Sequence, residues 1–168
     1  IGRRSLKNLA LAYLALLGIQ KWESCCFEQF TEADNMTDQL AALAALVHNQ
    51  MAQADVALEA FYHRYQDDPL VVDKWFSLQA MSPQSDVLER VQTLLQHPAF
   101  TIRNPNRVRA LIGAFAQGNQ FGFHQSSGAG YAFLADQVLA LDALNPQTAA
   151  RMVHLLSRCR RYDERPPG

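Results

Sequence analysis

Apolar residues recur three and four positions apart along most of this chain, the spacing of helices that each bury one face. The first such stretch predicts a helix over 5–17, with Leu6, Leu9, Ala10, Tyr13 and Leu17 on one stripe and Gly18 as its stop. A second covers 22–33 and buries Trp22, Cys26 and Phe30. The polar cluster Asp34 to Asp38 caps a third, which runs through Leu40, Leu43, Ala44 and Val47. Residues 52–65 follow with Val56, Phe61 and Tyr65 inward, and Asp68 caps a helix carrying Val71, Val72, Trp75, Phe76 and Gln79. Ser82-Pro83 opens the next, with Val87, Leu88, Val91, Leu94 and Leu95 inward until His97-Pro98. Asn104-Pro105 opens a helix through Phe115 that Gly118 closes; 131–144 and 146–159 complete the set.

Two of these openings share a signature. Asn is a preferred cap, and proline suits the first helical position because the N–H it lacks would be unpaired there. Pro105 and Pro146 stand 41 positions apart, close to the ~40–47-residue period of stacked helix-pair repeats. No run of residues alternates cleanly enough to predict a strand. The expected fold is all-α: about nine helices forming antiparallel pairs, stacked as a right-handed HEAT- or armadillo-like superhelix over 1–168.

Composition narrows the class. Of 168 residues, 49% are hydrophobic and 18% charged, which is globular rather than disordered. A net charge of −1 gives no general attraction to nucleic acid or to an anionic membrane. The apolar run Leu9 to Ile19 falls short of the ~20 residues that span a bilayer and reads as a core helix. Cys25, Cys26 and Cys159 make no disulfide framework and fit a reducing, cytoplasmic compartment. The chain opens inside a helical pattern and closes on Pro166-Pro167-Gly168, as a piece of a longer protein would.

Candidate chemistry is sparse. The acids of 34–38 lack the alternating ligands and the bidentate glutamate of a calcium loop, so they read as caps. The five histidines form no His-Glu-x-x-His pair and no zinc-ligand spacing. His124 lies in a Gly/Ser-rich loop and is the histidine best placed for a functional contact. Gly128-Ala129-Gly130 opens a helix whose amides could cradle an anion, although a tight turn explains the glycines as well. Arg107 and Arg109 flank the stripe Val108, Leu111, Ile112 and Phe115; Arg151 flanks Met152, Val153, Leu156 and Cys159. Such arginines either satisfy neighbouring helix ends or face a shared cavity, where guanidinium groups suit a carboxylate.

The run Arg103-Asn-Pro-Asn-Arg-Val-Arg-Ala-Leu-Ile-Gly-Ala-Phe115 resembles a signature of the C-terminal domain of bacterial aminopeptidase N, a zinc metallopeptidase family. Also similar, in collinear order, are 2–8, 33–38, Lys74-Trp-Phe76, Phe123-His124, Gly130-Tyr131, Asn145-Pro-Gln-x-Ala-x-Arg-Met152 and Arg161-Tyr-Asp163. The resemblance implies a non-catalytic helical domain that closes the active-site chamber and lines the primed side of the peptide path. It places the zinc in a catalytic domain of the same polypeptide, with no cofactor or metal in this chain. Arg109 and Arg151 match arginines that face the chamber, with Gln147 beside them and His124 as a further contact. Two departures stand out. Gln125-Ser126-Ser127 occupies a loop where the family carries an acid. The family also continues past Tyr162-Asp163, so the excised chain is predicted to self-associate or to be marginally stable. The competing expectations are a free-standing helical-repeat module that binds a protein or peptide, and an enzyme in its own right.

Overall fold

The computed structural model describes residues 2–157. Cys159, the basic cluster 158–161 and the Arg161-Tyr-Asp163 motif lie outside the described residues. Among those described, the regular elements are all helical. They are α1 (Gly2–Ala15), α2 (Gln20–Glu32), α3 (Met36–His48), α4 (Ala54–Tyr65), α5 (Pro69–Ala80), α6 (Val87–Leu94), α7 (105–118), α8 (Gln120–Phe123), α9 (Ala129–Asp142) and α10 (Pro146–Leu156). Residues Arg109–Gly113 of α7 form a π-turn between α-helical segments. None of these helices is long and apolar enough to cross a membrane.

The chain divides into two compact units, one ending at Asp68 and the other starting at Pro69. In the first, α1 and α2 pack on α3, and α3 packs on α4. Cys26, Phe30, Leu43, Leu46 and Phe61 form its core. A polar network runs through it: Lys7 Nζ donates to Asp38 Oδ2 (2.7 Å) and Asn8 Nδ2 to Asp38 Oδ1 (3.0 Å). Gln29 Nε2 reaches both Asn8 Oδ1 and the Asp38 carbonyl at 3.0 Å. Gln39 donates to the Phe30 carbonyl and accepts from the Tyr65 hydroxyl. The motifs 2–8 and 33–38 thus meet at Asp38, whose carboxyl is held down to about 2, chiefly by the Lys7 and Asn8 hydrogen bonds.

In the second unit, α5 packs on α6 and α7, and α9 pairs with α10 across only three residues, which forces a helical hairpin. Phe76, Val91, Leu111, Phe115, Phe123 and Leu134 are fully enclosed. Phe115 meets Phe123 and Phe133 edge-on at 5.7 Å, a geometry favourable by about 0.5–1.5 kcal/mol per pair beyond area burial.

Several expectations need correction. In α1 the predicted stripe points outward: Leu6, Leu9, Tyr13 and Leu17 are exposed, whereas Leu11 and Ala15 are buried. A helix apolar on two sides gives the periodicity no preference, and the Lys7–Asn8–Asp38 contacts set the rotation. Val56 is likewise exposed while Ala57 and Leu58 go inward. Val153 is exposed and Leu155 takes the inward place in α10. Residues 83–86 lie outside any helix, so α6 starts at Val87, and α8 raises the described helices to ten.

Candidate functional site

The element that carries most of the candidate chemistry is α7. Asn104 opens it, its Oδ1 accepting the amides of Asn106 (3.0 Å) and Arg107 (3.5 Å) ahead of Pro105. The two arginines that flank the stripe in sequence then part company. Arg107 turns inward, with Nη1 2.6 Å from Asp73 Oδ1, 3.4 Å from the Pro69 carbonyl, and its guanidinium over the Phe76 ring. Its Nε is buried without a hydrogen-bond partner. It therefore braces the start of α5, as the helix-end reading of these arginines requires. Next to it, His97 lies against Trp75 at 5.0 Å and Phe76 at 5.8 Å. Burial, then the charge on Arg107, lowers its pKa from 6.5.

Arg109 is different. It is exposed in a helix where Arg107, Val108, Ala110, Leu111, Ile112 and Gly113 are all buried. Its guanidinium donates to the Asn106 side-chain oxygen, and it is the first residue of the π-turn. π-turns are rare and recur at functional sites because they displace side chains from helical register. This one has an external support: the Ser77 hydroxyl in α5 lies 2.8 Å from the Ala110 carbonyl and 2.9 Å from that of Asp73.

The π-turn also marks where α7 approaches α10. A Cβ placed on Gly113 would lie 3.7 Å from both the Arg109 Cβ and the Met152 methyl. On α10, Asn145 Oδ1 accepts the Thr148 amide (3.0 Å), and Pro146 opens the helix. Thr148, Ala149, Met152 and Leu155 are buried, leaving Gln147 and Arg151, one turn apart, both exposed on a shared side. Arg109 therefore stands on the π-turn that packs against the helix bearing Gln147 and Arg151.

His124 belongs to another setting. It ends α8, with Nδ1 2.7 Å from the Tyr131 hydroxyl of α9 and its ring against Phe123. It lines a recess of about 570 Å³ with Ser85, Gln120, Phe121, Gln125, Ser126 and Ser127, a wall of amides, hydroxyls and one phenyl ring that holds no Asp, Glu, Lys or Arg. Gly128, at φ +73°, makes the turn into α9. Gly130 lets α9 approach α8: a Cβ there would sit 2.4 Å from the Phe123 carbonyl. Both glycines thus have a backbone reason.

The family model described as "Domain of unknown function (DUF3458_C) ARM repeats" matches residues 1–166. The chain belongs to this ARM-repeat family. Its similarity to curated proteins has the same extent. It is 45% identical to aminopeptidase N of Escherichia coli (strain K12) over 97% of this chain and 19% of that protein. With aminopeptidase N of Caulobacter vibrioides the identity is 46%, over 96% of this chain and 19% of that one. Among solved structures, that of Legionella pneumophila aminopeptidase A in complex with aspartic acid matches with a TM-score of 0.86 and 41% identity, covering 90% of this chain and 18% of that one. The chain spans about a fifth of the length of these relatives and corresponds to their C-terminal helical domain. The aminopeptidase N relatives are zinc enzymes, so the fit of this ARM-repeat domain to a metal bears on its role. Among the described residues no three His, Cys, Asp or Glu side chains converge to hold one.

Sequence reasoning missed three participants: the π-turn, Ser77 beneath it, and Asn119. The Asn119 amide donates to the buried carbonyls of Ala80 (3.0 Å) and Ser82 (2.6 Å) while its Oδ1 accepts the Gly122 amide. An asparagine directly after Gly118 was a legible sign of a stop followed by a new cap. The π-turn has no comparable sign, because it arises from contacts with α5.

Proposed function

We propose that this domain is the non-catalytic C-terminal part of an aminopeptidase N-like zinc peptidase. In that reading it closes the active-site chamber and lines the primed side of the path taken by peptides losing their N-terminal residue. The catalytic domain, with its zinc, lies elsewhere in the same polypeptide, and a cytoplasmic location suits the free thiols of Cys25 and Cys26.

The observation that carries the reading is the placement of Arg109. A guanidinium held outside the otherwise buried run 107–113, on a π-turn packed against the helix of Arg151 and Gln147, is a means of presenting charge to a ligand. Bidentate guanidinium–carboxylate pairing suits the C-terminus of a short peptide, and Gln147 can serve a main-chain carbonyl. His124, oriented by the Tyr131 hydroxyl, offers a hydrogen-bonding ring to the same class of ligand.

The test uses the full-length enzyme. Arg109→Ala and Arg151→Ala should raise KM for dipeptides and tripeptides by roughly 10- to 100-fold, the worth of one lost charge-assisted hydrogen bond. Amino-acid anilides, which lack the carboxylate, should be affected much less. Equal effects on both substrate classes would reject the role. The alternative of a free-standing binding module is separated by the native reading frame, which on the present proposal continues into a peptidase sequence.

A further inference from the structure

The recess beside His124 has a wall held in place at both ends. Asn119 secures the start of α8 by donating to the carbonyls of Ala80 and Ser82, and its Oδ1 accepts the Gly122 amide. At the far end, Gly130 brings α9 against the Phe123 backbone, and the Tyr131 hydroxyl holds the His124 imidazole at 2.7 Å. The loop that follows is tied back on itself. The Gly128 amide donates to the Gln125 carbonyl at 3.0 Å, and the Ser127 hydroxyl accepts the Ala129 amide at 3.3 Å. A wall fixed in this way loses little freedom when it takes up a ligand.

Its chemistry is uniform. Gln120 and Gln125 each present a side-chain amide, donor and acceptor side by side, and Ser126 and Ser127 add hydroxyls. These complement a peptide unit, which also carries one donor and one acceptor. Phe121 is 62% exposed on the same wall, a ring against which an apolar side chain can lie. At about 570 Å³, the recess falls within the ~300–1,000 Å³ of ligand pockets. No Asp, Glu, Lys or Arg lines it. A charged side chain entering would therefore shed water without gaining a counter-charge, whereas an amide or hydroxyl would exchange water for a comparable partner. We propose that this recess takes an uncharged stretch of the peptide, so that it selects against Asp, Glu, Lys and Arg among the residues after the scissile bond; the ligand's identity rests on the peptidase reading above.

The test is a substrate profile of the full-length enzyme. Tetrapeptides share an N-terminal alanine and carry Gln, Ser, Asp or Lys at the second, third or fourth position. All are amidated at the C-terminus, which keeps the carboxylate contacts of Arg109 and Arg151 out of the comparison. At one position or more, kcat/KM for Gln and Ser should exceed that for Asp and Lys by about threefold or more. Gln125→Asp should then raise the Lys-to-Asp ratio at that position by roughly threefold to fivefold, as a half-exposed ion pair permits. Should that variant fail to fold, Ser126→Asp puts the same charge on an exposed part of the wall. Gln66→Asp, in the other unit, should leave the ratio where it was. Equal kcat/KM for neutral and charged residues at every position overturns the assignment. So does a ratio that neither recess variant moves, or one that Gln66→Asp moves as far; the peptidase reading survives each of these results. A full-length protein that cleaves none of the peptides removes that reading, and this assignment with it.

Discussion

Asparagine performs one local task four times in this molecule. Asn35, Asn104, Asn119 and Asn145 each turn a side-chain oxygen to a free amide of the helix that follows, at Asp38, Asn106, Gly122 and Thr148. Removing such a cap costs about 0.5–2 kcal/mol. Asn104→Ala should therefore lower stability by about 1 kcal/mol, seen as a reduced denaturant midpoint at constant slope. Asn119→Ala should cost more, because it also strands the buried carbonyls of Ala80 and Ser82, at roughly 1–3 kcal/mol for a buried group left unpaired. Equal midpoints for the two variants would show that those carbonyls find other partners. Three of the caps were legible in the sequence, two from the Asn-Pro pair and one from the cluster at 34–38. The second duty of Asn119 was not, since it joins groups 37 and 39 positions away.

Among the elements, α7 and the α8–α9 crossing carry the most information. The apolar stripe of α7 was readable, yet the difference between Arg107 and Arg109 was not. Two residues flanking a stripe are equivalent in sequence until a neighbouring helix supplies Asp73 to one of them. At the crossing, contact depends on glycine. Gly130→Ala would drive a methyl to 2.4 Å from the Phe123 carbonyl, a clash with backbone that no rotamer relieves. The expected cost is about 1–3 kcal/mol. The strain should also widen the His124 Nδ1–Tyr131 hydroxyl contact, visible as a changed imidazole resonance in NMR. A variant as stable as the parent, with His124 unmoved, would contradict this packing.

Across the whole molecule, the two units respond to acid in different windows. His97 has a lowered pKa, so its contribution is complete above its ordinary 6.5 and declines as pH falls below that value. Its Nδ1 accepts the Ala99 amide at 3.2 Å, a bond that protonation removes. Asp38, held at about 2, contributes fully above 3.8 and loses that contribution only as pH falls towards 2. Exchange rates corrected for intrinsic chemistry should therefore rise in α5 to α7 between pH 7 and 5, while α1 to α3 stay protected down to about pH 4. His97→Gln should abolish the first phase and Asp38→Asn the second. Simultaneous loss in both units would refute the assignment.

The sequence alone determined that the chain is helical, where most of its helices start, and which family it resembles. These follow from capping chemistry and 3.6-residue periodicity, which act over a few positions. Only the tertiary structure decided which side of α1 faces water, which of two adjacent arginines is buried, and that α7 passes through a π-turn. Each of those is settled by a partner on another helix: Asp38 for α1, Asp73 for Arg107, Ser77 for the π-turn. Periodicity says that a helix has an apolar side; it cannot say which of two apolar sides finds a neighbour.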